Sequence, residues 1–347
     1  MGGRGRGSGR ENRALRRMSG VLLALLLGGG AFAQTPAIKA DGLTEARPGA
    51  GCSRACLEKA LGGFLAALAA RDAGKAALAP GARYSENNVV LPFGQGLWRT
   101  IDALGEYRNI VLDDDAGQIG LFFTLTENGV PQLAFLRLKV EGERIAQAEI
   151  LIQRRQASKF LNTEGLIVKP IWDQRLAAGD RPTRAQLIAS VDTYFDGLSA
   201  GDGSKVPFSD ACERIENGIQ TAGVIRLPPP VGASPLGGPQ RPLQRCRDQF
   251  NAGVTRYIQA VTPRRYAIVD EERGLVFGVF DFQHPGDVTQ VTGQDGVSRP
   301  MPEAAIRPFT VPAGELFKLV EGRIVAIEAV AVTVPFGMPS PWAPAAR

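Results

Sequence analysis

The chain has 347 residues, room for about two domains, and its hydrophobic content of 44% is typical of a globular protein with a core. The formal net charge of +5 comes from residues 1–33, which hold six of the 40 basic and one of the 35 acidic side chains and leave 34 of each in the remainder. A remainder without net charge argues against nucleic-acid binding and against attachment to an anionic membrane surface.

Residues 1–33 have the three parts of a signal peptide. Basic residues at 13–17 are followed by an apolar run at 21–27 and by the cleavage pattern Ala31-Phe32-Ala33. The apolar stretch is too short for a permanent membrane anchor. We therefore expect a secreted or periplasmic protein that has no stable membrane anchor after cleavage and begins with a flexible segment at 34–51. The export route, general secretory or twin-arginine, stays open.

Four cysteines follow the cleavage site, and an even number in an exported protein predicts disulfide bonds. We expect the pairs Cys52–Cys56 and Cys212–Cys246, because each pair lies within one half of the chain. Closing the 33-residue loop of the second pair should contribute roughly 3–4 kcal/mol. A zinc site is the alternative, and it is disfavoured because the chain has one histidine and no Cys-x-x-Cys pair.

An apolar stripe at helical spacing occurs twice, 130 residues apart. Its members are Leu57, Leu61, Phe64, Leu65 and Leu68, and then Leu187, Val191, Tyr194, Phe195 and Leu198. The match resumes at an offset of 157, which places Asp113 on Asp270, and again at an offset of 179, which places Glu149 on Glu328. Each copy ends in a predicted hairpin. A helix followed by a run of strands predicts an α+β fold with an antiparallel sheet.

The repeat predicts two tandem units of one fold. The expected segments are a first unit at 52–155, a linker at 156–182, a second unit at 183–335 and a tail at 336–347. The second unit carries Gly/Pro-rich insertions at 223–245 and 285–306, which we interpret as surface loops or lids.

The residues resemble a known superfamily. A helix, then Tyr84-Ser85-Glu86-Asn87, then Gly94-Gln95-Gly96-Leu97-Trp98 and a strand meander resemble the SnoaL-like branch of the nuclear transport factor two-like superfamily. The segments 52–57, 86–98, 212–220 and 269–275 are more narrowly similar to an uncharacterised secreted family with two such units. The resemblance, over about 52–334, implies cystatin-like cones in which a curved sheet wraps around the helix and leaves a pocket at its open end. Members include isomerases, dehydratases, cyclases, lyases and binding modules, so the fold does not select a function.

Enzymes of the cone type place a general base and hydrogen-bond donors in the pocket. On this basis our catalytic candidates are Glu86, Tyr107, Arg137, Tyr266, Asp281 and His284, and our substrate-binding candidates are Trp98 and Glu149.

Each candidate has a structural alternative. Glu86 is a pocket carboxylate or part of a turn that recurs at Glu216. Arg137 and Glu149 form an anion clamp or an ion pair on the outer face of the sheet. Trp98 caps a pocket or packs in the core. His284, the only histidine, is a base paired with Asp281 or Tyr266, or is simply exposed.

We expect no cofactor and no metal. The sequence has no P-loop, dinucleotide fingerprint, Gly-x-Ser-x-Gly elbow or HExxH motif. The acidic runs 113–115 and 270–272 lack the spacing of an EF-hand loop and indicate solvated turns.

Two functions remain open. The first is a cofactor-independent lyase, isomerase or dehydratase that acts on a small apolar molecule by general acid–base catalysis. The second is a non-catalytic module that binds a small ligand or a protein partner. In both, the units pack through their sheets as an internal pseudo-dimer, and we expect a monomer in solution.

Overall fold

A computed structural model describes residues 51–158, 160–225 and 243–343. The predicted signal peptide and nearly all of the predicted flexible start lie outside these described residues. So do 226–242 of the first insertion and 344–347 of the tail.

The first group of elements follows Cys52. It consists of α1 (Arg54–Ala69), β1 (Leu78–Glu86), β2 (Val89–Leu91), α2 (Leu97–Thr100), β3 (Ile101–Asp113), β4 (Gln118–Glu127), β5 (Val130–Glu141) and β6 (Arg144–Gln153).

The second group repeats this order, with α4 in the place of α2, and adds two short strands in the insertion at 285–306. It consists of α3 (Arg184–Ala200), β7 (Phe208–Glu216), β8 (Ile219–Ala222), α4 (Cys246–Asn251), β9 (Ala260–Asp270), β10 (Leu275–His284), β11 (Gln290–Thr292), β12 (Ser298–Pro300), β13 (Phe309–Val320) and β14 (Arg323–Ala331).

The two groups form six-stranded sheets of the same topology. The strand orders are β2-β1-β6-β5-β4-β3 and β8-β7-β14-β13-β10-β9, and β11 pairs with β12 in a separate small hairpin. The α+β class is therefore confirmed. The expected antiparallel arrangement is incomplete, because β1 pairs parallel with β6 and β7 pairs parallel with β14. No short hairpin joins these partners, so turn geometry does not impose an antiparallel direction on them.

Each sheet packs one face on its own long helix. The predicted stripe of α1 is buried against alternate residues of the first sheet, and the stripe of α3 is buried in the same way in the second. Thr183 and Gln186 form the capping box that starts α3. The interiors of the two sheet-and-helix units are therefore separate apolar cores.

The tight turns after β1 and β7 have the same conformation. Asn87 and Asn88 have φ of 48° and 64°, and Asn217 and Gly218 have φ of 48° and 75°. Residues that tolerate positive φ suit this hairpin turn. Asn87 also accepts the backbone N–H of Ile152 at 2.8 Å, which ties the turn to β6. The turn interpretation of these asparagines is confirmed in both units.

The second faces of the two sheets pack on each other through a third apolar core. At its centre the rings of Phe135 and Phe277 stack with centroids 4.8 Å apart. Opposite each ring lies a glycine: a Cβ on Gly314 would overlap the Phe135 ring, and a Cβ on Gly120 would meet the Phe277 ring at 2.5 Å. By the repeat offsets Gly120 corresponds to Phe277 and Phe135 to Gly314, so a bulky residue in one unit faces a gap in the other.

Ion pairs at the turns show that the contact between the sheets is reciprocal. Arg54 pairs with Asp270 at 3.4 Å, and Arg184 pairs with Asp113. Arg54 corresponds to Arg184 and Asp113 to Asp270, so each unit makes with its partner the contact that its partner makes with it. This reciprocity is the mark of a two-fold arrangement, here within a single chain.

Both predicted disulfide bonds, Cys52–Cys56 and Cys212–Cys246, are formed. The segment between the units also contributes to packing, since Leu161 and Trp172 are buried in the core between the sheets. In the part of the chain that the structure describes, no helix is both long and apolar enough to cross a membrane.

Candidate functional site

The eight candidate residues do not come together in one place. Glu86 lies at the end of β1, where it accepts hydrogen bonds from the Tyr84 hydroxyl at 3.0 Å, the Leu97 N–H at 2.7 Å and the Arg154 guanidinium at 2.7 Å. Arg154 also holds Glu127 at 2.6 Å. The Glu86 carboxylate is thus occupied by the chain itself and joins the turn, α2 and the end of β6.

Trp98 lies in the first core. It is 1% exposed, and its ring packs edge-on against Phe64 with centroids 5.3 Å apart. Trp98 therefore packs in the core and does not cap a pocket.

Arg137 and Glu149 form the anticipated ion pair, at 2.8 Å, on the face of the first sheet that meets the second. Arg265 of the second unit binds the same carboxylate at 2.5 Å, and Gln118 accepts from Arg137 at 2.9 Å. Burial by itself raises the pKa of Glu149, but Arg265 and Arg137 outweigh burial and hold it below its ordinary value. This cluster joins the two units and does not face either interior.

Tyr107 makes the corresponding contact from the first unit to the second. Its hydroxyl donates to Glu328 at 2.5 Å, and Asn109 donates to the other oxygen at 2.8 Å. Burial and the neighbouring Glu328 carboxylate raise the pKa of Tyr107. Glu328 is the repeat equivalent of Glu149, so the two glutamates have equivalent bridging positions between the sheets.

Asp281 and His284 lie on opposite faces of β10, and the expected pairing between them is not formed. Asp281 faces the first sheet and is 1% exposed. Burial raises its pKa to about 7, with Arg265 opposing the rise and Glu149 adding to it.

His284 is neither exposed nor paired with an acid. It is 3% exposed, its Nδ1 lies 3.1 Å from the Phe282 carbonyl oxygen, and its ring stacks on Phe309 with centroids 4.2 Å apart. Burial lowers its pKa to about 4, so the ring is neutral at neutral pH. Tyr266, the other expected partner of His284, instead donates its hydroxyl hydrogen to Asp192 of α3.

The interior of the second unit contains a polar cluster that sequence reasoning missed. It consists of Glu315, Arg214, Glu216, Tyr194 and Tyr257, and we refer to it as the Glu315 cluster. Arg214 donates to the Tyr194 hydroxyl at 3.2 Å and pairs with Glu216 at 3.1 Å. Thr221 and Gln249 accept from the same guanidinium.

Glu315 is the least compensated member of this cluster. It is 4% exposed, and its Oε2 has no hydrogen-bond partner among the described residues. Burial raises its pKa to about 8; the nearby Glu216 adds to the rise and Arg214 opposes it. The carboxyl is therefore protonated at neutral pH and can lose its proton close to that range.

Strand register explains why Glu315 points inward. Ala313, Phe317 and Leu319 of the same strand belong to the core around α3, and Glu315 shares their face of the sheet. In the first unit the equivalent position is Leu136, which pairs with Leu121 as Glu315 pairs with Gly278. Because the first unit places an aliphatic side chain there, the fold itself does not require an acid.

The cluster extends from the interior toward solvent. Tyr194 is buried on α3, whereas Glu216 and Tyr257 are partly exposed. Burial raises the pKa of Tyr257, and its ring lies 5.1 Å from that of His284. The arrangement offers a carboxyl that can exchange a proton, two tyrosine hydroxyls and a fixed guanidinium, the groups that general acid–base chemistry needs.

One signal in the sequence identifies Glu315. Under the offset of 179 it falls on Leu136, an acid on an apolar position of a predicted strand. Polar residues at predicted core positions are often functional. The same offset aligns Arg137 with Leu316, the residue after Glu315. Its side chain lies on the opposite face of the strand.

Two surface depressions lie elsewhere in the described residues. One of about 310 Å³ lies at the reciprocal turns, between Asp113 and Asp270. The other, of about 520 Å³, lies beside α3. In the described part of the chain, no three His, Cys, Asp or Glu side chains are grouped so that they could hold a metal ion.

The chain matches one family profile, described as a domain of unknown function (DUF8021), over residues 180–331. This range covers the second sheet-and-helix unit and contains the whole Glu315 cluster. No curated protein sequence matches the chain.

Several solved structures resemble parts of the chain. An NTF2-like protein of unknown function from Cytophaga hutchinsonii is 11% identical, with a TM-score of 0.25, and the match covers 29% of this chain and 92% of that one. A candidate polyketide cyclase from a Silicibacter species is 14% identical, with a TM-score of 0.26 and coverage of 42% and 89%. A candidate ketosteroid isomerase from Kribbella flavida is 13% identical, with a TM-score of 0.25 and coverage of 36% and 92%. These values are too low to support an inference of function.

Proposed function

We propose that the second unit is a cofactor-independent acid–base site for a small, largely apolar molecule, and that Glu315 is its proton acceptor and donor. One observation carries the proposal: a buried carboxyl with a pKa raised to about 8 occupies an interior position that the first unit fills with leucine. A group that titrates near neutral pH is suited to proton transfer in either direction.

The neighbours of Glu315 support specific roles. Arg214 is held by Tyr194, Thr221 and Gln249 and supplies a fixed positive charge near a developing anion. Tyr194 and Tyr257 supply hydroxyl donors whose pKa values burial raises, so they stay protonated. A lyase, an isomerase or a dehydratase reaction uses this set of groups.

The proposal is tested by deuterium exchange at carbon. A panel of small ketones and enones is incubated with the protein in D2O, and incorporation next to the carbonyl is followed by NMR. We expect the wild type to accelerate exchange in at least one compound, with a rate that rises with pH and levels off above about 8. The Glu315→Gln variant should lose at least about 100-fold in rate.

The matched control is Glu303→Gln, which removes an exposed carboxyl in the same unit. It should keep the wild-type rate. Equal exchange rates in Glu315→Gln and the wild type would contradict the assignment of Glu315.

Ligand binding without turnover is the second candidate function. It is favoured by the hydrogen bonds and the ion pair that hold the Arg214 guanidinium to the chain. Because these contacts fix the guanidinium, it forms a rigid polar wall of the interior. Native mass spectrometry of the protein from its own compartment identifies any retained ligand. If that ligand binds Glu315→Gln as well as the wild type and neither converts it, the binding function holds.

We also propose that the protein acts outside the cytoplasm as a monomer. The support is the pair of disulfide bonds, which persist in oxidising compartments, and the covering of each sheet's second face by the other sheet. A chain that begins at Gln34 and elutes at the mass of one copy is expected from the exported fraction. A chain with Met1 intact in the cytoplasm contradicts the export proposal, and a stable dimer contradicts the monomer.

A further inference from the structure

A groove of about 520 Å³ runs beside α3. Its lining residues are Ala189, Ser190, Thr193, Ser204, Lys205, Val206, Pro207, Arg247 and Arg323. Three of these side chains are cationic and three carry hydroxyl groups, and among the described residues none of the lining side chains is acidic. The groove is thus positively charged although the chain beyond residue 33 has no net charge.

The three cations come from separate elements and are poorly neutralised. Lys205 follows α3 and lies 4.0 Å from its nearest carboxylate, that of Asp202. Arg247 of α4 donates to the Phe208 carbonyl oxygen at 3.3 Å and has no carboxylate partner among the described residues. Arg323 begins β14 and is exposed, and its side chain forms no ion pair or hydrogen bond with the described part of the chain.

Close packing fixes Arg247 at the groove. The Cys212–Cys246 disulfide bond holds the first residue of α4 to β7, directly before Arg247. A Cβ on Gly203 would overlap the Arg247 backbone, so only glycine allows α4 to approach this turn so closely. The Gly203 N–H donates to Asn251 at 2.8 Å, which closes the other end of α4 on the same turn.

The first unit lacks most of this arrangement. With the offset of 130, the three hydroxyl positions correspond to Ala60, Gly63 and Gly74. Arg247 follows the insertion at 223–245, in a stretch that neither repeat offset aligns with the first unit. Lys75 and Arg144 are retained, and Lys75 lies closer to its aspartate, Asp72, at 3.4 Å, than Lys205 lies to Asp202. The hydroxyls and the third cation are therefore additions that the common fold does not need.

We propose that this groove binds a small organic molecule that carries phosphate or sulfate groups. Arginine and lysine form strong charge-assisted hydrogen bonds with tetrahedral oxyanions, and serine and threonine hydroxyls donate to their remaining oxygens. The volume suits a ligand of sugar-phosphate size. No residue that lines the groove belongs to the Glu315 cluster, so the two sites use different side chains.

The test is isothermal titration of the full mature protein with inorganic pyrophosphate and with a trisulfated heparin disaccharide. Citrate at the same ionic strength measures attraction by charge alone. We expect binding below about 1 mM for at least one of the first two probes and at least about tenfold weaker binding of citrate. The stronger of the first two identifies the ligand as a phosphorylated or a sulfated compound.

Matched variants locate the binding. Arg323→Gln and Arg247→Gln should each weaken the bound probe by about tenfold or more, whereas Arg144→Gln, at the equivalent of Arg323 in the first unit, should bind as the wild type does. Arg323 is exposed, so its substitution does not disturb the fold. Three outcomes would overturn the proposal: no binding of either probe, equal binding of citrate, or wild-type affinity in the Arg323 variant.

Discussion

Three carboxyl groups, those of Glu149, Asp281 and Glu315, are almost fully buried, yet their pKa values move in opposite directions. Burial raises the pKa of all three, but Glu149 alone is hydrogen-bonded to two guanidinium groups, which reverse the shift. Asp281 and Glu315 lack such a contact, and their pKa values rise to about 7 and about 8. The local partner, not the depth of burial, decides whether each group is charged.

The first prediction concerns stability and the charge of Glu315. Its pKa is about 8 in the folded chain and ordinarily about 4.5, so deprotonation favours the unfolded chain. The wild type should lose stability as pH rises between these values. Glu315→Gln, which cannot ionise, should gain up to about 4 kcal/mol relative to the wild type between pH 5 and pH 9.

Urea denaturation at several pH values measures this difference. The exposed control Glu303→Gln should follow the wild-type curve at every pH. A constant difference between Glu315→Gln and the wild type would show that Glu315 does not titrate in this range.

The second prediction concerns Glu149, whose substitution should lower the stability of the protein instead of raising it. Glu149→Gln removes the buried carboxylate that Arg137 and Arg265 share, so the free energy of unfolding at pH 7 should fall by about 3–5 kcal/mol. Denaturant titration measures the change. A loss below about 1 kcal/mol would mean that the two arginines find other partners.

For individual residues, the sequence predicts turns and disulfide pairs better than it predicts the partners of polar side chains. The asparagine turns and both disulfide pairings follow from local residue types and from the repeat. The partners of Glu149 and His284 come from distant strands, which local patterns do not describe. Glu315 differs, because the repeat alignment already places it on an apolar position of the first unit.

Among the elements, the turns that begin with Asp113 and Asp270 carry the contact between units. They are turns, as expected, but their first acids are buried rather than solvated, while Asp114 and Asp115 are exposed. Asp113 accepts the N–H groups of Ala116 at 2.9 Å and Val269 at 2.8 Å. One side chain therefore closes its own turn and binds the other sheet.

The third prediction compares the two sides of these reciprocal ion pairs. Asp113→Ala leaves two buried N–H donors and Arg184 without an acceptor and should cost about 2–4 kcal/mol. Arg54→Ala removes a side chain that is 38% exposed and should cost under about 1 kcal/mol. Chemical denaturation of both variants measures the contrast, and similar losses would contradict this account of the turns.

The sequence predicts most of the elements and part of their pairing. Helix stripes and hairpins recur at local spacing, and both are found where expected. The parallel pairing of β1 with β6 depends on residues about 65 apart in the chain, and periodicity within either strand does not reveal it.

For the whole molecule, the contact between the sheets explains why the chain needs two different copies. Phe135 meets Gly314, and Phe277 meets Gly120, so two identical first units would set ring against ring and gap against gap. The sequence shows both copies and predicts that their sheets pack. The complementarity of their surfaces appears only when the sheets are brought together.

The fourth prediction tests this complementarity. Gly314→Ala places a methyl group where the Phe135 ring lies and should lower the free energy of unfolding by about 1–3 kcal/mol or more. In a double-mutant cycle, Phe135→Leu should recover part of that loss. Gly179→Ala, where a Cβ meets open space, is the control. Independent, additive effects of the two substitutions would contradict the proposed fit.

Proton transfer in the second unit requires that Glu315 change its charge state near neutral pH in the folded protein. A carbon-13 NMR titration of the glutamate side-chain carboxyls measures it, and the signal absent from Glu315→Gln gives the assignment. We expect this carboxyl to titrate with a pKa of about 8. Titration of Glu315 near 4.5, the ordinary value, would contradict the proposed acid–base site.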